Sequence, residues 1–324
     1  MDSSTTNSNT AKRLTLYIIS ILLVIIFITM SIFLFTKMYY DAYEHSYARN
    51  VVRQYNYLKD TRGEDRIVIV GTSSASFMFD KEAVDIIENA IGKKVVVFGN
   101  YAAMGNTCFL DWVDDYIQKG DTVIYMYDIH EKAMYIGFDG NSTLQGIYGN
   151  MEMFNKLSSE NKCRLINALP RYLRENTILY RTRNTDRSTL GVYDLSSYDD
   201  RGIMTYKRGG QGSATTSGID VYPEMIQSEL TDYIATWANA LRKKGASVYF
   251  RYGPVIDNAI TFDPQDEKVK AFALEWEKQT TLKAMNDISK QYLPAEYFYD
   301  GSFHLNSEGA KMMVEKFIGE FKTL

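Results

Sequence analysis

IVIVGTSSASF, residues 67–77, decides the fold. Four consecutive apolar, β-branched residues fit a strand buried on both faces, as in a parallel sheet covered by helices. Gly71 breaks the run, and Thr72, Ser73 and Ser74 follow where a strand must stop and a helix begin. Small hydroxyl residues at such a turn suit a helix N-cap, a phosphate cradle or an exposed nucleophile. The turn alone favours the cap, so the choice depends on what other strand ends bring to the same side.

From Arg66 onward, strand-length apolar runs alternate with helix-period segments. The pattern predicts an α/β fold: a doubly wound, mainly parallel five-stranded sheet in three flavodoxin-like layers. Strands are expected at RIVIVG (66–71), KVVVFGN (94–100), TVIYMYD (122–128), SVYFRYGP (247–254) and EYFYD (296–300). Helices are expected between them, including a long one over 266–292 and a closing one after NSEGAKMMVEKFIGEF. An insertion at about 136–221 interrupts the alternation. Apart from a helical pattern near NKCRLINALPRYLREN it lacks period, and it reads as a surface excursion or lid.

Residues 14–36 carry no charge, and a helix of that length spans about 35 Å, enough to cross a bilayer core. The run ends in FLFTKMYY rather than in small residues, which predicts a retained transmembrane anchor and not a cleaved signal. Lys12 and Arg13 directly before it predict that residues 1–13 are a cytoplasmic tail, with the rest of this single-pass cell-membrane protein facing outward. Residues 37–63, rich in tyrosine and including His45, read as a helical stalk, and 64–324 as the folded domain. A net charge of −4 over 324 residues offers no basic footprint for nucleic acid. Cys108 and Cys163 fit neither a disulfide framework nor a metal motif, and both one bridge and two separate thiols remain open.

Ligands of such sheets gather at the carboxyl ends of the strands. Those ends read GTSSA, GNYAAMGNT, YDIHE, RYGPVIDN and YDGSFHLNSEG. The first and last together supply Ser73 as a nucleophile, His304 as its base and Asp300 to orient the imidazole, with the Ser73 amide beside the developing oxyanion. Blander readings stand beside these: Asp300 as a turn residue before Gly301, His304 as a loop histidine, Gly105 as a turn glycine. A phosphate cradle is disfavoured, because the turn lacks a P-loop lysine and dinucleotide-type glycines. Asp128 and His130 are spaced to share a metal ion, but no further ligands cluster with them. Asp128 with Glu131 could form a glycosidase pair. KRGGQGS (207–213) reads as a flexible loop whose cations could meet an anionic polymer. The 25 tyrosines divide between core and a possible carbohydrate surface.

The order of these blocks resembles the SGNH (GDSL-like) hydrolases, over most of 66–324 outside the insertion. Gly71-Thr-Ser-Ser stands where that family has Gly-Asp-Ser, NYAAMGNT resembles its second block, and YDGSFHLN its last. The resemblance implies Ser73, Asp300 and His304 as the triad, and amides of Ser73 and Gly105 in the oxyanion hole. His130 stands where the family's third block has an oxyanion-binding Asn, so an imidazole N–H would have to donate there. Thr72 replaces the family's Asp, and Asp300 precedes His304 by four residues where three is commoner. With its membrane helix the chain looks most like anchored members that work in alginate O-acetylation and in teichoic-acid D-alanylation. Implied is an extracytoplasmic serine acyltransferase or esterase acting on O-acyl, chiefly O-acetyl, groups. Its partners would be a cell-envelope polysaccharide or teichoic-type polymer and a membrane-bound O-acyltransferase, with no cofactor and no metal. A non-catalytic polymer-binding or docking partner on the same fold is the alternative.

Overall fold

The computed structural model describes residues 4–38, 42–130, 136–182, 191–213 and 218–324. They form two compact bodies, one of residues 1–44 with 170–185 and one of 45–169 with 186–324. In the first, helix α1 (Ser4–Met38) contains a 24-residue stretch, Ala11–Leu34, long and apolar enough to cross a membrane. Most of the large apolar side chains of that stretch are exposed, Phe27 at 73%. Following it, the Ala42 amide donates to Asn176 Oδ1 at 3.1 Å, and the Tyr43 ring lies 5.8 Å from that of Tyr172.

The second body opens with α2 (Asn50–Asp60). The expected stalk is corrected here. Val51, Tyr55 and Leu58 are fully buried, and α2 packs on the edge of the sheet because its apolar residues recur at helical spacing. Strand β1 (Arg66–Thr72) leads into α3 (Ser73–Met78) and α4 (Lys81–Ile91). Then come β2 (Lys94–Asn100), α5 (Asn106–Asp114) and β3 (Thr122–Tyr127). The insertion holds α6 (Gly140–Ile147), α7 (Met151–Lys156) and the beginning of α8 (Ser159–Thr182), a helix that includes the segment expected from the sequence and whose residues from Pro170 are counted in the first body. Beyond it lie α9 (Ser228–Lys243), β4 (Ser247–Tyr252), β5 (Val255–Ile256), α10 (Glu267–Thr280), β6 (Lys283–Ala284), β7 (Tyr292–Leu293) and α11 (Ser307–Phe321).

The five-stranded sheet runs β2-β1-β3-β4-β6 and is parallel throughout. β5 and β7 pair separately. Ile67, Ile69, Val95, Val97, Ile124 and Met126 share one core with residues of α4 and α11. The alternate side chains meet helices on the other face: Phe98 against Trp112, Tyr125 against Trp237, Phe250 against Trp276. Burial on both faces explains why β1 is apolar at every central position rather than alternating. β1 lies between β2 and β3, where the strand order reverses, so the residue after β1 stands at the switch point that binds ligands in open α/β sheets.

The expected fifth strand is also corrected. EYFYD forms a single 3-10 turn (Ala295–Tyr297) after Pro294, and only Phe298 bridges, antiparallel, to Leu305. The true edge strand, β6, lies inside the segment expected to be one long helix over 266–292. Thr281 adopts φ 60° and ends that helix, since a β-branched residue in the left-handed region cannot continue it.

Asn306 caps α11: its Oδ1 accepts from the Gly309 amide at 2.9 Å, while Nδ2 donates to the carbonyls of Gly210 and Glu296. Asn306→Ala is therefore expected to destabilise the domain by about 2 kcal/mol, measured as a lowered midpoint in thermal unfolding.

Candidate active site

Two glycines allow the end of β1 to sit where it does. A Cβ on Gly71 would lie 2.0 Å from the Met126 carbonyl oxygen, and one on Gly99 2.7 Å from that of Thr72. Both obstacles are backbone, so the close approach of the strand ends requires glycine at each.

The chain then turns into α3. Thr72 occupies the N-cap position without a side-chain cap bond; its hydroxyl donates to Asp128 Oδ2 at 2.9 Å and lies 3.0 Å from Ser74 Oγ. Ser73 is the first helical residue and is not used as a cap. Its Oγ lies 2.8 Å from His304 Nε2, and His304 Nδ1 lies 2.7 Å from Asp300 Oδ1. A neutral imidazole carrying its proton on Nδ1 would donate to Asp300 and accept the Ser73 hydroxyl proton at Nε2. Ser73 is 9% exposed, and the side chains of His304 and Asp300 are 19% and 26% exposed, so the three reach the surface at one place.

Local structure holds each of them. Phe77, one turn beyond Ser73 on α3, stacks its ring under the imidazole at 4.0 Å and 14°. The Tyr299 amide donates to the His304 carbonyl at 2.8 Å, closing the loop that presents Asp300 and His304. Burial works to raise the Asp300 carboxyl, but hydrogen bonds from His304 and Tyr193 outweigh it and hold it below its ordinary value. A serine, its hydrogen-bonded imidazole and an ionised carboxylate behind that imidazole can generate a nucleophile at neutral pH.

The other expected oxyanion donors are placed differently. Gly105 has φ 83°, and a Cβ there would collide with Phe138 at 2.3 Å, so the glycine is required by its turn. Its N–H donates to the Ala102 carbonyl at 3.0 Å, which corrects its assignment as an oxyanion donor: the amide is engaged inside the turn. His130 stacks at 5.2 Å on Phe303, the residue preceding His304, and is half-buried. The Ser73 N–H lies in the first turn of α3, where amides have no intrahelical partner.

Asp128 is 5% exposed and its Oδ1 has no partner among the described residues. Among those residues, no group of three potential ligands could hold a metal with Asp128 or His130. Glu131, the other half of the possible glycosidase pair, lies outside the described residues. Cys108 is buried and Cys163 exposed, and both are free thiols.

Two residues of the insertion belong to the site and were not legible in the sequence. Tyr193 Oη donates to Asp300 Oδ2. Arg208, expected in a flexible loop whose cations could meet an anionic polymer, is instead buried, 2% exposed, paired with Asp80 and donating to the carbonyls of Phe77 and Leu305. The part of the insertion that carries these two residues is thus built into the site. A cavity of about 750 Å³ elsewhere, lined by Asp111, Asp114, Tyr233 and Trp237 of α5 and α9, contains none of Ser73, His304 and Asp300. No protein-family model matches the chain, nor does any curated protein.

Proposed function

We propose that the protein is a membrane-anchored serine acyltransferase or carboxylic-ester hydrolase of SGNH-like type, with its domain on the outer side of the cell membrane. The observation that carries this reading is the unbroken chain Ser73 Oγ, His304 Nε2, His304 Nδ1, Asp300 Oδ1, with heavy-atom separations of 2.8 and 2.7 Å. Ser73 attacks an acyl carbonyl as His304 takes its proton, and the Ser73 amide stabilises the oxyanion. His304 returns the proton to the departing alkoxide, leaving the acyl group on Ser73. Water or a sugar hydroxyl, deprotonated by the same imidazole, then attacks the acyl carbon, and the imidazolium returns the proton to the Ser73 oxygen as its bond to the acyl group breaks. The exposed apolar helix α1 and the resemblance to anchored acyl-transfer proteins favour O-acetyl groups of a cell-envelope polymer as substrate, with a membrane-bound O-acyltransferase as donor partner.

The test is covalent labelling. The full-length protein in detergent, treated with a fluorophosphonate, is expected to gain one adduct on the peptide containing Ser73 and to lose turnover of 4-nitrophenyl acetate in parallel. Ser73→Ala should take up none. Equal labelling and turnover by both proteins would remove Ser73 as nucleophile. Absence of both in the wild type would favour the polymer-binding or docking alternative.

A further inference from the structure

We propose that Tyr193 is a positioning residue for the Asp300–His304 pair, so that the 136–221 insertion supplies a fourth member of the site; the proposal rests on the serine-relay reading above. Tyr193 bonds the carboxylate oxygen that His304 does not use: Oη donates to Oδ2, while His304 Nδ1 meets Oδ1. A carboxylate held through one oxygen can still rotate about its Cβ–Cγ bond. With a donor on each oxygen its plane is fixed, and with it the direction in which the imidazole must point.

Tyr193 is itself held. It ends the 3-10 turn Gly191–Tyr193, closed by the Asp194 amide on the Gly191 carbonyl at 3.1 Å. Asp194 bridges antiparallel to Ser46, and the Leu195 amide donates to the His45 carbonyl at 2.7 Å. The Tyr193 ring meets that of Tyr47 edge-on at 6.1 Å and 72°. Other groups within electrostatic reach of Asp300 are the phenols of Tyr47, Tyr198 and Tyr299 and the guanidinium of Arg208. The phenols are kept neutral by burial, and Arg208 is engaged by Asp80. The direct contribution of Tyr193 is therefore a neutral donor on a carboxylate that faces the base.

The experiment compares wild type and Tyr193→Phe as full-length protein in detergent micelles. A substrate-free readout is the downfield proton resonance of the His304 Nδ1–H in its bond to Asp300. It is expected in the wild type and broadened away by exchange in the variant. With 4-nitrophenyl acetate, kcat is expected to fall about tenfold, the scale of one hydrogen bond to a charged group, with KM unchanged. The acid limb of the pH profile should move to higher pH, because a carboxylate stripped of one donor presents more charge to the imidazole and favours its protonated form. An unchanged resonance together with kcat within about twofold of wild type overturns the proposal. Should Tyr193→Phe fail to fold, 3,5-difluorotyrosine at position 193 keeps ring and hydroxyl but strengthens the donor. It should move the acid limb the opposite way, and no movement overturns the proposal. A wild type that neither turns over ester nor takes the phosphonate removes the acyl-transfer reading, while the resonance comparison still decides the role of Tyr193.

Discussion

Ser73→Ala, His304→Gln and the double variant are expected to turn over 4-nitrophenyl acetate at one common floor, about 10⁴-fold below wild type in kcat. The reason is that in the proposed relay hydroxyl and imidazole act as one unit. The Ser73 oxygen becomes nucleophilic only as its proton leaves, and the group placed to take that proton is His304 Nε2, 2.8 Å away. Remove the oxygen and the base has nothing to deprotonate. Remove the base and the hydroxyl must ionise unaided. The residual rate belongs to binding and to the oxyanion donor at the start of α3, which neither substitution touches. Losses that instead multiply in the double variant would mean that the two side chains work independently, and the relay would have to be abandoned.

How much of this was legible in the sequence depends on the range over which each signal acts. Four β-branched residues followed by glycine mark a buried strand and its end locally, and the central strands fall where they were expected. Ser73 stands at the end of β1 as expected, whereas Asp300 and His304 meet it from a loop before α11 and not from the strand end that the sequence suggested. β6 was not, since Lys283–Ala284 is too short for any periodicity and the apolar pattern of α10 runs up to it. EYFYD is a short aromatic run of the kind strands favour, but Pro294 on one side and the loop closed between Phe298 and Leu305 on the other bend it into a turn. The engagement of the Gly105 amide depends on its turn, which residue identity alone does not fix. Tyr193 and Arg208 sit in an aperiodic insertion about a hundred residues from their partners, and a lone tyrosine or arginine there carries no local mark of inward orientation.

Arg208 gives the largest effect expected on stability. Its side chain is fully buried and that of Asp80 only 11% exposed. Its guanidinium also donates to the Phe77 carbonyl at the end of α3, donates to the Leu305 carbonyl just past His304, and lies 5.3 Å over the Phe77 ring. One residue thereby joins the helix that starts at Ser73 to the loop that carries His304. Arg208→Met keeps much of the volume but leaves a buried carboxylate without its counter-ion and two carbonyls without a donor. It is expected to cost about 3–5 kcal/mol, seen as a lower unfolding midpoint at neutral pH. Asp80 also caps α4 by accepting the Ala83 amide at 3.0 Å, so Asp80→Asn keeps a cap and removes the charge. Arg208→Met with Asp80→Asn should accordingly recover more than half of the loss, because the stranded charge and not the missing pair is the main cost. The pH dependence has a definite sign. Burial raises the Asp80 carboxyl by more than Arg208 and the Ala83 amide lower it. A carboxyl raised on folding costs stability above its folded value, and that cost fades as pH falls through it. Without Arg208 the raising is stronger, so the deficit of Arg208→Met should be greatest at neutral pH and shrink on acidification, while the double variant should show little such trend. A single variant as stable as wild type at neutral pH, or one whose deficit grows on acidification, would end the account of Arg208 as the brace between α3 and the His304 loop.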